Sequence, residues 1–138
     1  QTIRERLAEY GYDSSQKTLF IWEGVTMYIS PEAVDETLAF VAGHSAEGSG
    51  IIFNYCFQSV VDGSCTLFGA KKFSKYVMKK EEPILFGIET GMTEKFLKQR
   101  GFAHVIDADG KDLAEMYFTG PNKGRRNPEF GGIVYAVV

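Results

Sequence analysis

The segment Thr18-Leu-Phe-Ile-Trp-Glu-Gly-Val-Thr-Met-Tyr-Ile-Ser-Pro-Glu-Ala-Val34 contains the pattern of a strand, a loop and the start of a helix. Residues 18–22 form a short apolar run bounded by polar residues, which is typical of a strand buried on both faces of a parallel sheet. Ser30 suits the N-cap of a helix, and Pro31 suits its first position. The segment therefore predicts one strand–helix unit of an α/β sheet.

The alternation of strands and helices continues on both sides of this segment. A second apolar run at 51–57 follows the predicted helix at 31–43, and the order strand, helix, strand is that of a right-handed parallel crossover. An amphipathic helix at 2–10 precedes the first strand. Further helices are predicted at 67–80, 90–100 and 112–117, and further strands at 102–107 and 129–138. We predict one α/β domain over residues 1–138, forming half of an open sheet with helices on both faces.

Composition excludes several classes of protein. Hydrophobic residues make up 44% and charged residues 24% of the 138 residues, which is typical of a soluble globular domain. A net charge of −3 argues against a nucleic-acid binder. No apolar run approaches the roughly 20 residues of a membrane span, and no secretion signal is visible at the start. Cys56 and Cys65 are therefore predicted to be free thiols in a reducing, cytoplasmic environment.

The candidate ligand site lies after Trp22 and after Phe57, because open α/β sheets bind ligands beyond the carboxyl ends of their strands. Glu23 could accept hydrogen bonds from an ammonium group or from ribose hydroxyls, or it could cap the backbone amides of its own loop. Gly24 permits a close backbone approach or a positive φ. Tyr28 could donate its hydroxyl to a substrate oxygen or pack as a half-buried ring. The residues alone leave both alternatives open for Glu23 and for Tyr28.

Other candidate sites are weaker. His44 and His104 are too isolated to form a metal-ligand set. We expect His44 to be a surface residue and His104 to lie at a strand edge. The sequence Asp107-Ala-Asp-Gly110 lacks the later glutamate of a calcium loop and predicts a turn. The lysines of residues 71–80 predict a solvated helix face.

The string Glu23-Gly-Val-Thr-Met-Tyr-Ile29, between an apolar strand and the sequence Ser-Pro-Glu-Ala-Val34, resembles the central motif of the leucine carboxyl methyltransferase-like family. That family includes bacterial O-methyltransferases of polyketide biosynthesis. Residues 51–55, 82–88 and 96–102 resemble later segments of the same family. The resemblance covers the whole chain, but it corresponds to the second half of the family's domain.

The resemblance implies the C-terminal half of a class I methyltransferase (Rossmann-like) fold, mostly parallel, with helices on both faces and an antiparallel last strand. It implies S-adenosylmethionine as the cofactor, bound by Glu23 and Gly24, and an acceptor bound by Tyr28 and Tyr55. The implied reaction transfers a methyl group, without a metal ion, to a carboxylate or hydroxyl oxygen of a small molecule, polyketide-like by analogy. The resemblance assigns no catalytic residue.

The chain departs from the family at the cofactor turn. Gly48-Ser-Gly50 precedes a strand, whereas a Gly-rich cofactor turn follows one. We therefore expect a fragment without the N-terminal cofactor-binding half, inactive by itself because the surface that positions the cofactor is missing. The rival hypothesis is a non-catalytic interaction domain that retains half of a methyltransferase fold. An apolar strand edge left open in this way predicts a homodimer.

Overall fold

This computed structural model describes residues 3–138, so the predicted helix start at Thr2 lies outside the described residues. The described part of the chain alternates helices with strands. The helices are α1 (Ile3–Glu9), α2 (Pro31–Gly43), α3 (Gln58–Val61), α4 (Ala70–Lys79), α5 (Thr93–Lys98) and α6 (Gly110–Tyr117). The strands are β1 (Leu19–Trp22), β2 (Gly50–Cys56), β3 (His104–Asp109) and β4 (Gly131–Val137). Short 3-10 turns occupy Thr26–Tyr28 and Gly120–Asn122.

The strands form one sheet in the order β1-β2-β4-β3. Strands β1 and β2 are parallel, and β4 runs antiparallel to both β2 and β3. Strand β3 therefore has the same direction as β1 and β2. The predicted fold class, a mostly parallel α/β sheet with an antiparallel last strand, is confirmed.

Helix α2 forms where the sequence predicts it, and for the predicted reason. The Ser30 side chain accepts a hydrogen bond from the Ala33 amide at 3.3 Å, and Pro31 occupies the first position. Val34 and Leu38 are fully buried on the face that meets the sheet. Capping and apolar periodicity thus agree over this element.

Several elements differ from the sequence prediction in their bounds or in being absent from it, as three of them illustrate. Helix α5 begins at Thr93 rather than at 90, because Gly91 adopts φ +77°, which interrupts a right-handed helix. The four-residue helix α3 has no periodic signal of its own and was not predicted. The predicted turn at 107–110 is wrong: β3 continues to Asp109, whose side chain caps α6 in a reciprocal capping box with Asp112.

The main core lies on one face of the sheet. On β2 the alternation places Ile51, Phe53 and Tyr55 on this face, where each is at most 3% exposed. Val134 and Ala136 of β4 pair with Phe53 and Ile51 and are completely buried. Helices α2 and α5 contribute Leu38 and Leu97 to the same cluster.

The opposite face of the sheet is open at its centre. Strand pairing aligns Ile21, Ile52, Tyr135 and Ile106 in one row across this face. Ile21 is 72% exposed and Ile106 is 67% exposed. The prediction that the first strand is buried on both faces is therefore wrong, because β1 is an edge strand and no helix among residues 3–138 covers its Ile21 side.

Two further expectations can be compared with the structure. Cys56 and Cys65 are free thiols, as predicted, and burial raises the pKa of Cys56 to about 11. Among residues 3–138, no helix combines the length and the apolar character that crossing a membrane requires.

Candidate cofactor site

A cavity of about 550 Å³ lies where β1 and β2 end, on the open face of the sheet. This volume is in the range of small-molecule sites, roughly 300–1,000 Å³. Its walls are mostly apolar and include Ile21, Met27, Ile52, Phe73, Leu113, Phe130 and Ile133. Glu23 and Asn54 place polar groups on this apolar lining. The cavity therefore lies where the sequence predicted a ligand site.

Glu23 follows β1 directly and is exposed at the cavity. Gly24 adopts φ +71°, and its amide donates to the Asn54 side-chain oxygen at 2.7 Å. The carboxylate of Glu23 forms no hydrogen bond with its loop's amides among the described residues. The capping alternative therefore has no support here, and the carboxylate is available to a ligand. A role in cofactor binding stays a prediction.

Asn54 is a site residue that the sequence analysis missed. Its side chain holds the Gly24 amide, and its carbonyl accepts a hydrogen bond from the Thr26 hydroxyl at 2.6 Å. Thr26 is completely buried, so this bond is well protected from water. Asn54 is the single side-chain amide inside the apolar run 51–57, and this feature of the sequence could have revealed it as a site residue. The alternation of β2 directs its side chain towards the ligand face.

Tyr28 lies in the 3-10 turn after β1 and is half-buried. It packs against a small cluster formed by Met27, Cys56 and Val60. Burial, and then the negative charge of Glu82, raise the pKa of Tyr28, so its hydroxyl remains a donor at neutral pH. Tyr28 does not line the cavity that holds Glu23, although Met27 and Cys56 line it. Its predicted contact with an acceptor stays a prediction.

Tyr55 is buried in the main core, and only part of it borders the cavity. Its hydroxyl donates to both carboxylate oxygens of Asp107, at 2.9 and 3.1 Å. The ring reaches β3 by passing over Gly132, which has no side chain to obstruct it. The hydroxyl is thus engaged within the protein. A role in binding substrate stays a prediction, and it would require this bond to open.

The remaining sequence candidates lie away from this cavity. His44 is exposed and stacks on Phe40, with ring centroids 5.5 Å apart. His104 is exposed on β3, an edge strand, as predicted. The lysines of α4 are exposed, which agrees with the predicted solvated face.

The Asp107 carboxylate makes stability depend on pH. Asp107 is exposed overall, but partial burial of its carboxylate raises the pKa of Asp107, and the hydrogen bond from Tyr55 opposes that effect only partly. The folded state then holds this proton more tightly than the unfolded state does. The stabilising contribution of protonated Asp107 is fully present below the pKa of this residue in the unfolded state. It is lost as the pH rises through the pKa of the residue in the folded state. Asp107→Asn is therefore expected to increase stability relative to wild type at pH 7, and this advantage shrinks as pH falls towards 4.

Urea unfolding of both proteins at pH 7 and at pH 4 measures this difference. Glu47→Gln removes an exposed negative charge and controls for net charge. An advantage of Asp107→Asn that grows as pH falls would contradict the assignment.

Residues 1–42, which include the Glu23–Tyr28 motif, match the family model described as leucine carboxyl methyltransferase. The resemblance to that family is confirmed over these residues. The match covers α1, β1, the Glu23 loop and most of α2, and of these β1 and the loop line one side of the cavity. A comparison with curated protein sequences finds no match.

Several solved structures with a similar fold are described as methyltransferases. A protein described as an O-methyltransferase from Nostoc punctiforme has 14% identity and TM-score 0.54, with 90% of this chain and 33% of that chain covered. An S-adenosylmethionine-dependent methyltransferase from Thermotoga maritima has 10% identity and TM-score 0.52, with 86% of this chain and 54% of that chain covered.

The S-adenosylmethionine-dependent methyltransferase SibL, solved in its apo form, has 17% identity and TM-score 0.51, with 97% of this chain and 39% of that chain covered. This chain thus has a class I methyltransferase fold and spans between about a third and a half of those structures. The resemblance implies S-adenosylmethionine as the cofactor, and the same cofactor is named for the Thermotoga maritima protein and for SibL.

Proposed function

We propose that this chain is the C-terminal part of an S-adenosylmethionine-dependent O-methyltransferase that acts on a small molecule in the cytosol. The observation that carries the proposal is the position of Glu23, directly after β1, at the mouth of a cavity of about 550 Å³. The family match over residues 1–42 includes this residue. The acceptor atom is a carboxylate or hydroxyl oxygen. By analogy with the family that the chain resembles, the acceptor molecule is polyketide-like.

The residues around this cavity suit one end of S-adenosylmethionine. Its amino-acid end carries an ammonium group, and the exposed carboxylate of Glu23 is a suitable acceptor for charge-assisted hydrogen bonds. Gly24 turns the backbone at φ +71°, and the bond from its amide to Asn54 holds the loop in place. Thr26 anchors the same loop to β2. These contacts would keep the Glu23 carboxylate in a defined position.

When bound, S-adenosylmethionine supplies a methyl group on a sulfonium, ready for attack by an oxygen. Such a transfer depends chiefly on alignment of the acceptor with the methyl group. We therefore assign this chain a positioning role, in which Glu23 orients the cofactor and the apolar cavity walls contact it. Since the chain spans only part of the matching structures, we expect it to be inactive on its own.

Calorimetric titration tests this proposal. S-adenosylmethionine is titrated into this chain and into a polypeptide in which any upstream sequence of its gene is restored. We expect tight binding only in the longer polypeptide, and Glu23→Gln should weaken it about tenfold or more through the loss of one charged partner. Glu47→Gln, an exposed acid outside the cavity, is the matched control. Unchanged affinity in Glu23→Gln would contradict the role of this residue.

The rival function is a non-catalytic interaction domain, and the open edge favours it. Leu19 is 57% exposed and Ile21 is 72% exposed on β1, an edge strand that would pair with another copy to form a homodimer. If neither polypeptide binds the cofactor and this chain sediments as a dimer, the interaction domain becomes the better hypothesis.

A further inference from the structure

A second cavity, of about 480 Å³, lies between α3 and the C-terminal part of α4. Helix α4 contributes Ser74, Val77 and Met78, whose spacing places them on one helical face, and Glu81 follows the helix cap. The facing walls are formed by Val60, Val61, Pro83 and Ile84. Most of this lining is apolar, as in sites that hold the apolar body of a small molecule.

The two cavities are separate sites with no lining residue in common. Met27, Cys56 and Phe73 line the first cavity, and all three belong to the small cluster that also contains Tyr28. Val60, Val61 and Ile84 belong to the same cluster and line the second cavity. A molecule in the second cavity would thus be separated from the Glu23 cavity by this cluster.

The charged side chains that line the second cavity are acidic, although Lys79 and Lys80 precede them in the chain. Of the residues that line it, Glu81 and Glu82 are the ones that carry charge, and both are exposed. No salt bridge engages either carboxylate within residues 3–138. The lysines of α4 do not line the cavity. The C-terminal end of α4 adds a partial negative charge at the same place.

We propose that the second cavity binds a small molecule with an apolar body and an ammonium group. The apolar walls contact the body, while Glu81 and Glu82 attract the ammonium group. A molecule carrying a carboxylate would be repelled by the same two charges.

The test uses three probes with the same ring and different charge: 4-methylbenzylamine, 4-methylbenzyl alcohol and 4-methylbenzoate. Each is titrated into this chain at pH 7 while the methyl signals of Val60, Val77 and Ile84 are followed by NMR. We expect the amine to shift these signals and to bind at least about tenfold more tightly than the benzoate, from two charges at a few ångströms in partly screened solvent. Equal affinity of amine and benzoate, or shifts confined to other residues, would overturn the proposal.

Variants separate charge selection from folding. The double change Glu81→Gln and Glu82→Gln should bring the ratio of amine to benzoate affinity close to one, whereas Glu115→Gln, at a distant exposed acid, should leave it unchanged. Glu81 has φ +57°, a conformation that glycine adopts more easily, so Glu81→Gly should fold with an equal or higher Tm yet lose part of the selectivity. Selectivity that survives the double change would overturn the proposal.

The outcome is independent of the cofactor titration. Failure of S-adenosylmethionine binding, with amine selectivity intact, would contradict the proposed function and leave an amine-binding cavity. Cofactor binding without amine selectivity would contradict this inference alone.

Discussion

Phe53→Ala is expected to lower the free energy of unfolding by about 3–5 kcal/mol, the usual cost of removing a buried aromatic ring. Phe53 is 2% exposed at the centre of β2, and its ring lies 6.0 Å from the ring of Trp22. Small domains are stable by only about 5–15 kcal/mol, so this loss would remove a large share of the stability. Urea unfolding followed by the fluorescence of Trp22, the only tryptophan, measures the effect next to the substituted site.

The matched control is Ile52→Ala, at the adjacent position of the same strand. Ile52 is half-buried and points to the open face, so about 1 kcal/mol is expected from its lost contacts and lower strand propensity. A larger loss at Ile52 than at Phe53 would mean that the two faces of the sheet have been assigned the wrong way round.

Gly131→Ala is expected to lower the free energy of unfolding by about 3 kcal/mol, at the upper end of the usual cost of overpacking. Gly131 pairs with Cys56 at the start of β4, and an added Cβ would overlap the backbone carbonyl of Tyr55. A backbone atom cannot rotate away as a side chain can, so the two strands must separate locally. Thermal unfolding followed by circular dichroism measures the loss, and a Tm within a degree of wild type would contradict the close approach of β2 and β4.

Gly43→Ala serves as the control for this glycine substitution. Gly43 ends α2, and an added Cβ there meets nothing within 4 Å. Alanine in a helix is favoured over glycine by up to about 1 kcal/mol, so an equal or higher Tm is expected. The contrast between the two variants isolates the steric contact from the general effect of replacing glycine.

The candidate site was predictable from sequence in its position but only partly in its contacts. The acid after an apolar strand indicated Glu23, because strand ends form the ligand edge of an open sheet. The bond from Gly24 to Asn54 joins residues far apart in the chain, and no local pattern predicts such a partner. The same reason applies to Tyr55, whose pairing with Asp107 required β3 and β4 to be in place.

The sequence by itself determined the local elements: the capped helix after Ser30, the apolar strand of β2, and the motif that resembles a methyltransferase family. These depend on capping, periodicity and turn chemistry, which act between near neighbours in the chain. Only the tertiary structure decided that β4 inserts between β2 and β3, that one face of β1 stays open, and that Glu81 and Glu82 line an apolar cavity. These features depend on which distant segments pack together, and neighbouring residues carry no information about that.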